Sequence, residues 1–135
     1  MGGIFVQEVF DFLKKAGTYY IATADGDQPR VRPFATALLM NGRIYIQTGK
    51  VKPCSKQMAV NPKVEICAIN ENSWLRIAAT VINDDSIEVK RALLDAYPQL
   101  KGRYSAEDEN MQMLYLSEAV ATFFSFTTEP KVVQF

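Results

Sequence analysis

The chain has 135 residues, with 15 basic side chains balanced by 15 acidic ones, and 48% of its residues are hydrophobic. That length fits one domain, and that composition builds a packed core instead of a disordered chain. There is no histidine, which excludes His-based serine and cysteine triads and His-ligated zinc or haem, and two cysteines are too few to close a structural zinc site.

Val6, Val9, Phe10 and Leu13 recur at helical spacing, which predicts an amphipathic first helix. Lys14 and Lys15 suit its last turn and Gly17 the position beyond it. Glu8 and Asp11 interrupt the apolar pattern, so the segment does not read as a signal peptide, and no apolar run approaches the roughly 20 residues of a membrane helix. A cytoplasmic protein with free thiols and no membrane or nucleic-acid partner is the expectation.

Thr18 to Ala24 reads as a strand, Asp25-Gly26 as a turn, and Arg30 to Met40 as an extended run. Asn41-Gly42 is a strong hairpin signal and joins that run to a strand from Arg43 to Thr48. Pro53 starts a short helix that ends before Asn61-Pro62. Val64 to Ile69 and Trp74 to Ile82 are two further strands. Asp85 to Glu88 has capping-box spacing, with Asp85 in the cap place, and opens a helix carrying Val89, Ala92, Leu93 and Ala96 that Pro98 stops. Gly102 to Asn110 is polar and loop-like. Ala119 to Thr127 is rich in β-formers, and Glu129-Pro130 turns into a last strand, Val132 to Phe135. Strands joined by hairpins, with no βαβ alternation, predict a mainly β protein: an antiparallel barrel with peripheral helices, formed as one domain over residues 1–135. No G-x-G-x-x-G or Walker-type loop is present.

Charge is unevenly distributed. From Gln28 to Val64 there is no acidic residue, while Arg30, Arg32, Arg43, Lys50, Lys52, Lys56 and Lys63 all fall there. A basic stretch in a neutral chain points to one compact anion and not to a long nucleic acid. Its centre is Thr48-Gly49-Lys50-Val51-Lys52-Pro53-Cys54-Ser55-Lys56, between a strand end and a helix start. Proline at the first helical position leaves the following amides free, and these, with the positive helix end, suit a phosphate. Thr48 and Ser55 add hydroxyls, and the lysines add charge. A solvated basic loop with an ordinary cap is the alternative.

The second segment is Pro29-Arg30-Val31-Arg32-Pro33-Phe34. Pro33 fits an edge or a bulge. Alternation puts Arg30 and Arg32 on one strand face, able to meet a phosphate or a planar polar ring, and Val31 and Pro33 on the other. A solvent-facing pair on an edge strand is again the alternative. Cys67 reads as core, Cys54 sits near a helix start, and Trp74 suits a stacking or packing role. Tyr19, Tyr20, Tyr45 and the Phe123-Phe124 pair read as core or interface, and Glu107 to Glu109 as a solvated loop.

The run "GTYYIATADGDQPRVRPF" resembles the opening of pyridoxamine 5′-phosphate oxidase-like proteins. "NGRIYIQTGKVKPCSKQM", "NPKVEICA", "WLRIAATV" and "ATFFSFTTEPKVVQF" follow in that family's order and spacing. Nitroimidazole-resistance and general-stress flavoproteins are related to it. The resemblance implies an FMN-binding split β-barrel of Greek-key type that works as a homodimer, with FMN in clefts between subunits. It implies that Arg30, Val31, Arg32 and Pro33 lie along the flavin ring. Gln47, Thr48, Lys50, Lys52, Ser55 and Lys56 would hold the phosphate, and Arg76, with Trp74 nearby, would approach the flavin. No residue is assigned as catalytic and no metal is implied. The family's frequent Ser-x-Lys register reads Lys52-Pro53-Cys54 here, so the lysine that meets phosphate is open. The substrate-binding Arg and His of the true oxidase have no counterpart in the ending "EPKVVQF". Two readings follow: an oxidoreductase passing hydride or electrons between a reduced nicotinamide and a small acceptor, or a non-catalytic flavin-binding or stress-related module.

Overall fold

A computed structural model describes residues 2–135, with side chains from residue 5 onward. The described residues form three α-helices, a 3-10 turn at Pro98–Gly102 and eight strands. Helix α1 spans Gly2–Ala16, followed by β1 (Tyr19–Asp25) and β2 (Gln28–Phe34). Then come β3 (Leu38–Met40), β4 (Arg43–Gly49), α2 (Pro53–Val60), β5 (Lys63–Asn70) and β6 (Ser73–Asn83). The chain ends with α3 (Ile87–Ala96), β7 (Met111–Ser125) and β8 (Lys131–Gln134). All strand pairs are antiparallel, in the order β2-β1-β5-β6-β7-β4-β3, with β8 added beside β7. The mainly β, antiparallel split barrel with peripheral helices is therefore the observed fold.

The turn chemistry explains most boundaries. Gly17, at φ +77°, ends α1 with its amide on the Leu13 carbonyl at 3.1 Å. Asn41 and Gly42 both take positive φ, which matches the right-handed twist of the β3–β4 hairpin. The barrel interior is lined by Ile21, Ile44, Ile46, Ile66, Leu75 and Ile77. Helix α1 plugs it with Val6, Val9 and Leu13, each worth about 1.5–3 kcal/mol when fully buried. A second cluster lies on the other face of β4, where Tyr45 meets Val89, Leu93, Met111 and Met113 under α3. β4 is thus buried on both faces.

Four expectations need correction. The run from Arg30 to Met40 is two strands, because residues 35–37 leave the sheet at one edge and re-enter it at the other. The Tyr19 hydroxyl donates to the Thr36 carbonyl at 2.6 Å, and Tyr97, just after α3, accepts from the Ala37 amide and donates to its carbonyl. Lys14 Nζ of α1 donates to the same Tyr97 oxygen at 2.7 Å. The cap of α3 is Ser86, not Asp85: its hydroxyl accepts from the Val89 amide. The strand expected from Ala119 begins at Met111. Cys67 is exposed, since Val64, Ile66 and Ala68 take the inward positions of β5 and Cys67 the outward ones.

Candidate functional site

β4 delivers the chain to the barrel end at Gly49, and α2 begins at Pro53. Asn110 clamps the intervening turn. Its carbonyl accepts from the Lys50 amide at 2.7 Å, and its side-chain oxygen accepts from the Val51 amide at 3.1 Å. Gly49 is a point of close approach: a Cβ there would stand 3.0 Å from Tyr104 Oη and 3.2 Å from Asn110 Nδ2, so these side chains would have to give by a few tenths of an ångström. The Lys52 amide donates to Gly49, and the Ser55 and Lys56 amides turn back onto the Lys52 carbonyl. The expected row of free amides is therefore reduced: with Pro53 lacking a donor, Cys54 alone at this junction has an amide without a partner among the described residues.

The cations sort themselves by partner. Lys50 pairs with Asp85 at 2.7 Å, Arg30 with Asp25 at 3.2 Å, and Arg43 lies over the Tyr115 ring. Lys52 and Lys56 are exposed at the first turn of α2 and form no ion pair among the described residues. Asp85 stays ionised beside Lys50. Burial alone would raise its carboxyl, but hydrogen bonds from Asn83, Lys50 and the Met113 amide outweigh that and hold it below the ordinary aspartate range.

β2 reaches this turn through Arg32. Its guanidinium donates to Thr23 Oγ1 at 2.7 Å and to Gln57 Oε1 of α2 at 2.9 Å. Arg30 and Arg32 share the inward-turned face of β2, opposite Thr23 and Ile21, while Val31 and Pro33 face outward. Thr48 and Ser55 are buried: Thr48 Oγ1 lies 3.5 Å from Cys54 Sγ, and Ser55 Oγ donates to Gln112 Oε1 at 2.6 Å. Gln47 points to the other face of β4 and donates to the Thr48 carbonyl. The structure thus brings Arg32, Lys52 and Lys56 to one end of the barrel, with Thr48 and Ser55 beneath them and Gln47 turned away.

Arg76 and Trp74 lie elsewhere. Arg76 is opposite Cys67 on one side and Thr122 on the other, on the outer face of the sheet, where it pairs with Glu65 at 3.3 Å. Trp74 stacks on Phe124 with ring centroids 5.3 Å apart and leans on Phe126. The same outer face carries exposed Tyr20, Val31, Ile69, Val120, Phe126 and Val132. An open groove of about 650 Å³ crosses it over Ala22, Ala24, Ala78 and Val120.

The chain is 40% identical to a NimC/NimA family protein from Clostridium acetobutylicum, over 98% of this chain and 94% of that one, with a TM-score of 0.95. It belongs to the NimC/NimA family. The fold recurs in General Stress Protein 26 from Bacillus anthracis str. Sterne, at 12% identity, 98% coverage of each chain and a TM-score of 0.77. It recurs also in a pyridoxamine 5′-phosphate oxidase-related, FMN-binding protein from Nostoc punctiforme PCC 73102, at 12% identity, 96% and 94% coverage and a TM-score of 0.62. No protein-family model and no curated protein matches the chain. The resemblance read from the sequence motifs is thereby borne out.

In this NimC/NimA chain the residues that hold the basic turn in place were not visible in the sequence. Asn110 comes from the loop before β7 and Gln112 from β7, Asp85 from the approach to α3, and Gln57 from the side of α2 that meets Thr23 and Arg32. Each lies outside the acid-free segment's own motif or reads as an ordinary polar residue.

Proposed function

We propose that this chain is an FMN-binding flavoprotein, one split-barrel domain acting as a homodimer, with the FMN phosphate held at the turn into α2. The observation that carries this reading is the pair Lys52 and Lys56. Two ammonium groups that have no acidic partner among the described residues flank a helix start whose Cys54 amide has no partner there either, and Arg32 approaches from β2. That donor set suits a phosphate dianion. Lys50 and Ser55 already serve Asp85 and Gln112, so their part is to support the turn. The family kinship and the FMN-binding protein of the same fold support the choice of ligand. In this reading Arg30 to Pro33 border the ring, and Arg76 and Trp74 reach it from a second copy.

The homodimer rests on the outer face. Exposed Tyr20, Val31, Ile69 and Val132 all lie on this one face, and that much apolar exposure on one side of a sheet suits self-association. Bound FMN would supply hydride or electron chemistry, so the activity proposed is oxidoreduction between a reduced nicotinamide and a small acceptor. The chain's own residues bind and orient; none is needed as an acid or base.

The test is a titration with FMN and riboflavin, followed by flavin fluorescence. Lys52→Ala and Lys56→Ala each remove a charge-assisted bond of about 1.5–3 kcal/mol, so FMN should weaken roughly 10- to 150-fold while riboflavin is unchanged. Equal losses for both ligands would show the phosphate is not held here. Anaerobic mixing with reduced nicotinamides should bleach the bound flavin, and failure with both would remove the oxidoreductase assignment.

A further inference from the structure

The basic turn is tied to one carboxylate from both ends. Lys50 Nζ donates to Asp85 Oδ2 at 2.7 Å. From the same oxygen a chain of bonds runs back to α2. Asn83 Nδ2 donates to Asp85 at 2.9 Å, Gln112 Nε2 to Asn83 Oδ1 at 2.7 Å, and Ser55 Oγ to Gln112 Oε1 at 2.6 Å. The Met113 amide holds the other carboxylate oxygen.

An ionised carboxylate only accepts, and that fixes the direction of every link. Asn83 must present its amide nitrogen to Asp85, which leaves its oxygen for Gln112. Gln112 then presents its nitrogen, which leaves its oxygen for the Ser55 hydroxyl. The relay starts on α2, crosses β7 and β6 and ends beside α3. Lys50 and Ser55 flank Lys52, so the segment that carries the free ammonium group is pinned on both sides.

We propose that Asp85 is the positioning residue of the phosphate-binding turn: through Lys50 at one end and the Asn83–Gln112–Ser55 relay at the other, it fixes where Lys52 is presented. This inference rests on the phosphate site proposed above. Asp85 touches no ligand; it acts through the turn. Its charge and its position pull in opposite directions, and the sign of the effect separates them. A carboxylate near an anion site repels the anion, so as a bare charge its removal would tighten FMN. As an anchor its removal leaves the turn to be ordered at the expense of binding.

The experiment is a titration of Asp85→Ala with FMN and with riboflavin, whose binding also reports that the variant is folded. The expected result is FMN weakened about tenfold, with riboflavin changed less than twofold. Gln112→Leu cuts the relay without altering charge and should give the same FMN-selective loss. Ser55→Ala should weaken FMN in the wild-type chain and add nothing to Asp85→Ala, since both break one relay. Tighter FMN binding by Asp85→Ala, parallel loss of both ligands, or additive losses for the Ser55 pair would each overturn the proposal. Lys52→Ala separates the two levels. If it is FMN-selective while Asp85→Ala and Gln112→Leu are not, the phosphate site stands and this inference falls. If Lys52→Ala affects both ligands alike, both fall.

Discussion

Arg32 and Arg76 stand on opposite faces of one sheet. Arg32 lies in the row Ile21–Ile66–Ile77, which faces the barrel interior, and Arg76 lies in the adjacent row Pro33–Tyr20–Cys67–Thr122, which faces outward. One copy cannot close both around a single ligand, so a shared site needs a second copy. If Arg76 arrives from the partner and meets the ring, Arg76→Ala should weaken FMN and riboflavin by similar factors. Its ion pair with Glu65 is exposed and worth at most about 1 kcal/mol, so thermal stability should barely move. Parallel ligand titrations and a melting curve check this, and an FMN-selective loss would place Arg76 at the phosphate instead.

The outer face should be the contact between copies. Val31 and Ile69 are well exposed in one chain, and an unpaired charge buried there costs several kcal/mol. Val31→Asp combined with Ile69→Asp should convert a dimer to a monomer in light scattering at micromolar concentration and lower flavin affinity with it. A double variant that kept the dimer mass would move the interface elsewhere.

Gly49→Ala should loosen the basic turn. The new methyl would press on Tyr104 Oη and on the Asn110 amide, and such overpacking typically costs about 1–3 kcal/mol. Tyr104→Phe removes the closer of the two atoms. The pair Gly49→Ala with Tyr104→Phe should recover part of the melting temperature lost by Gly49→Ala alone; no recovery would mean that Asn110 is the hard neighbour.

Asp85 also predicts an acid limb of stability. Its folded-state pKa lies below that of the unfolded chain, so the stabilisation is complete above the unfolded value, about 3.9, and is lost as pH falls through the folded value. Between neutral pH and pH 5 wild type and Asp85→Asn should change in parallel, whereas below about pH 4 wild type should lose stability more steeply. Denaturant midpoints at successive pH values measure the difference.

Local chemistry made much of the fold legible. Asn41-Gly42, Gly17 and Pro53 act where they stand, because turns and helix ends are set by adjacent residues. The first half of β7 was not legible. Met111 and Met113 pack under α3 while Leu114 and Leu116 line the barrel, so both faces are apolar and no alternation marks a strand. Cys67 shows a related ambiguity: alternation gives the period but not which phase is inward. Glu65, in phase with Cys67, was the clue. At the site, the acid-free stretch showed where cations gather, but their sorting depends on Asp25, across the adjacent hairpin, and on Asp85 and Asn110, which only the folded chain brings near.

The crossing at residues 35–37 bears on how the molecule assembles. The hairpins β1–β2, β3–β4 and β5–β6 are local and can form early and independently. Closing the barrel is different, because the segment that joins its two edges is held by Tyr97 and, through the Tyr97 hydroxyl, by Lys14, two residues far apart in the chain. Tyr19 of β1 holds Thr36 locally, but the hold on Ala37 is completed only when both helices have docked, so the last step of barrel closure should come late. Tyr97→Phe, which deletes the shared hydroxyl, should then speed unfolding far more than it slows refolding.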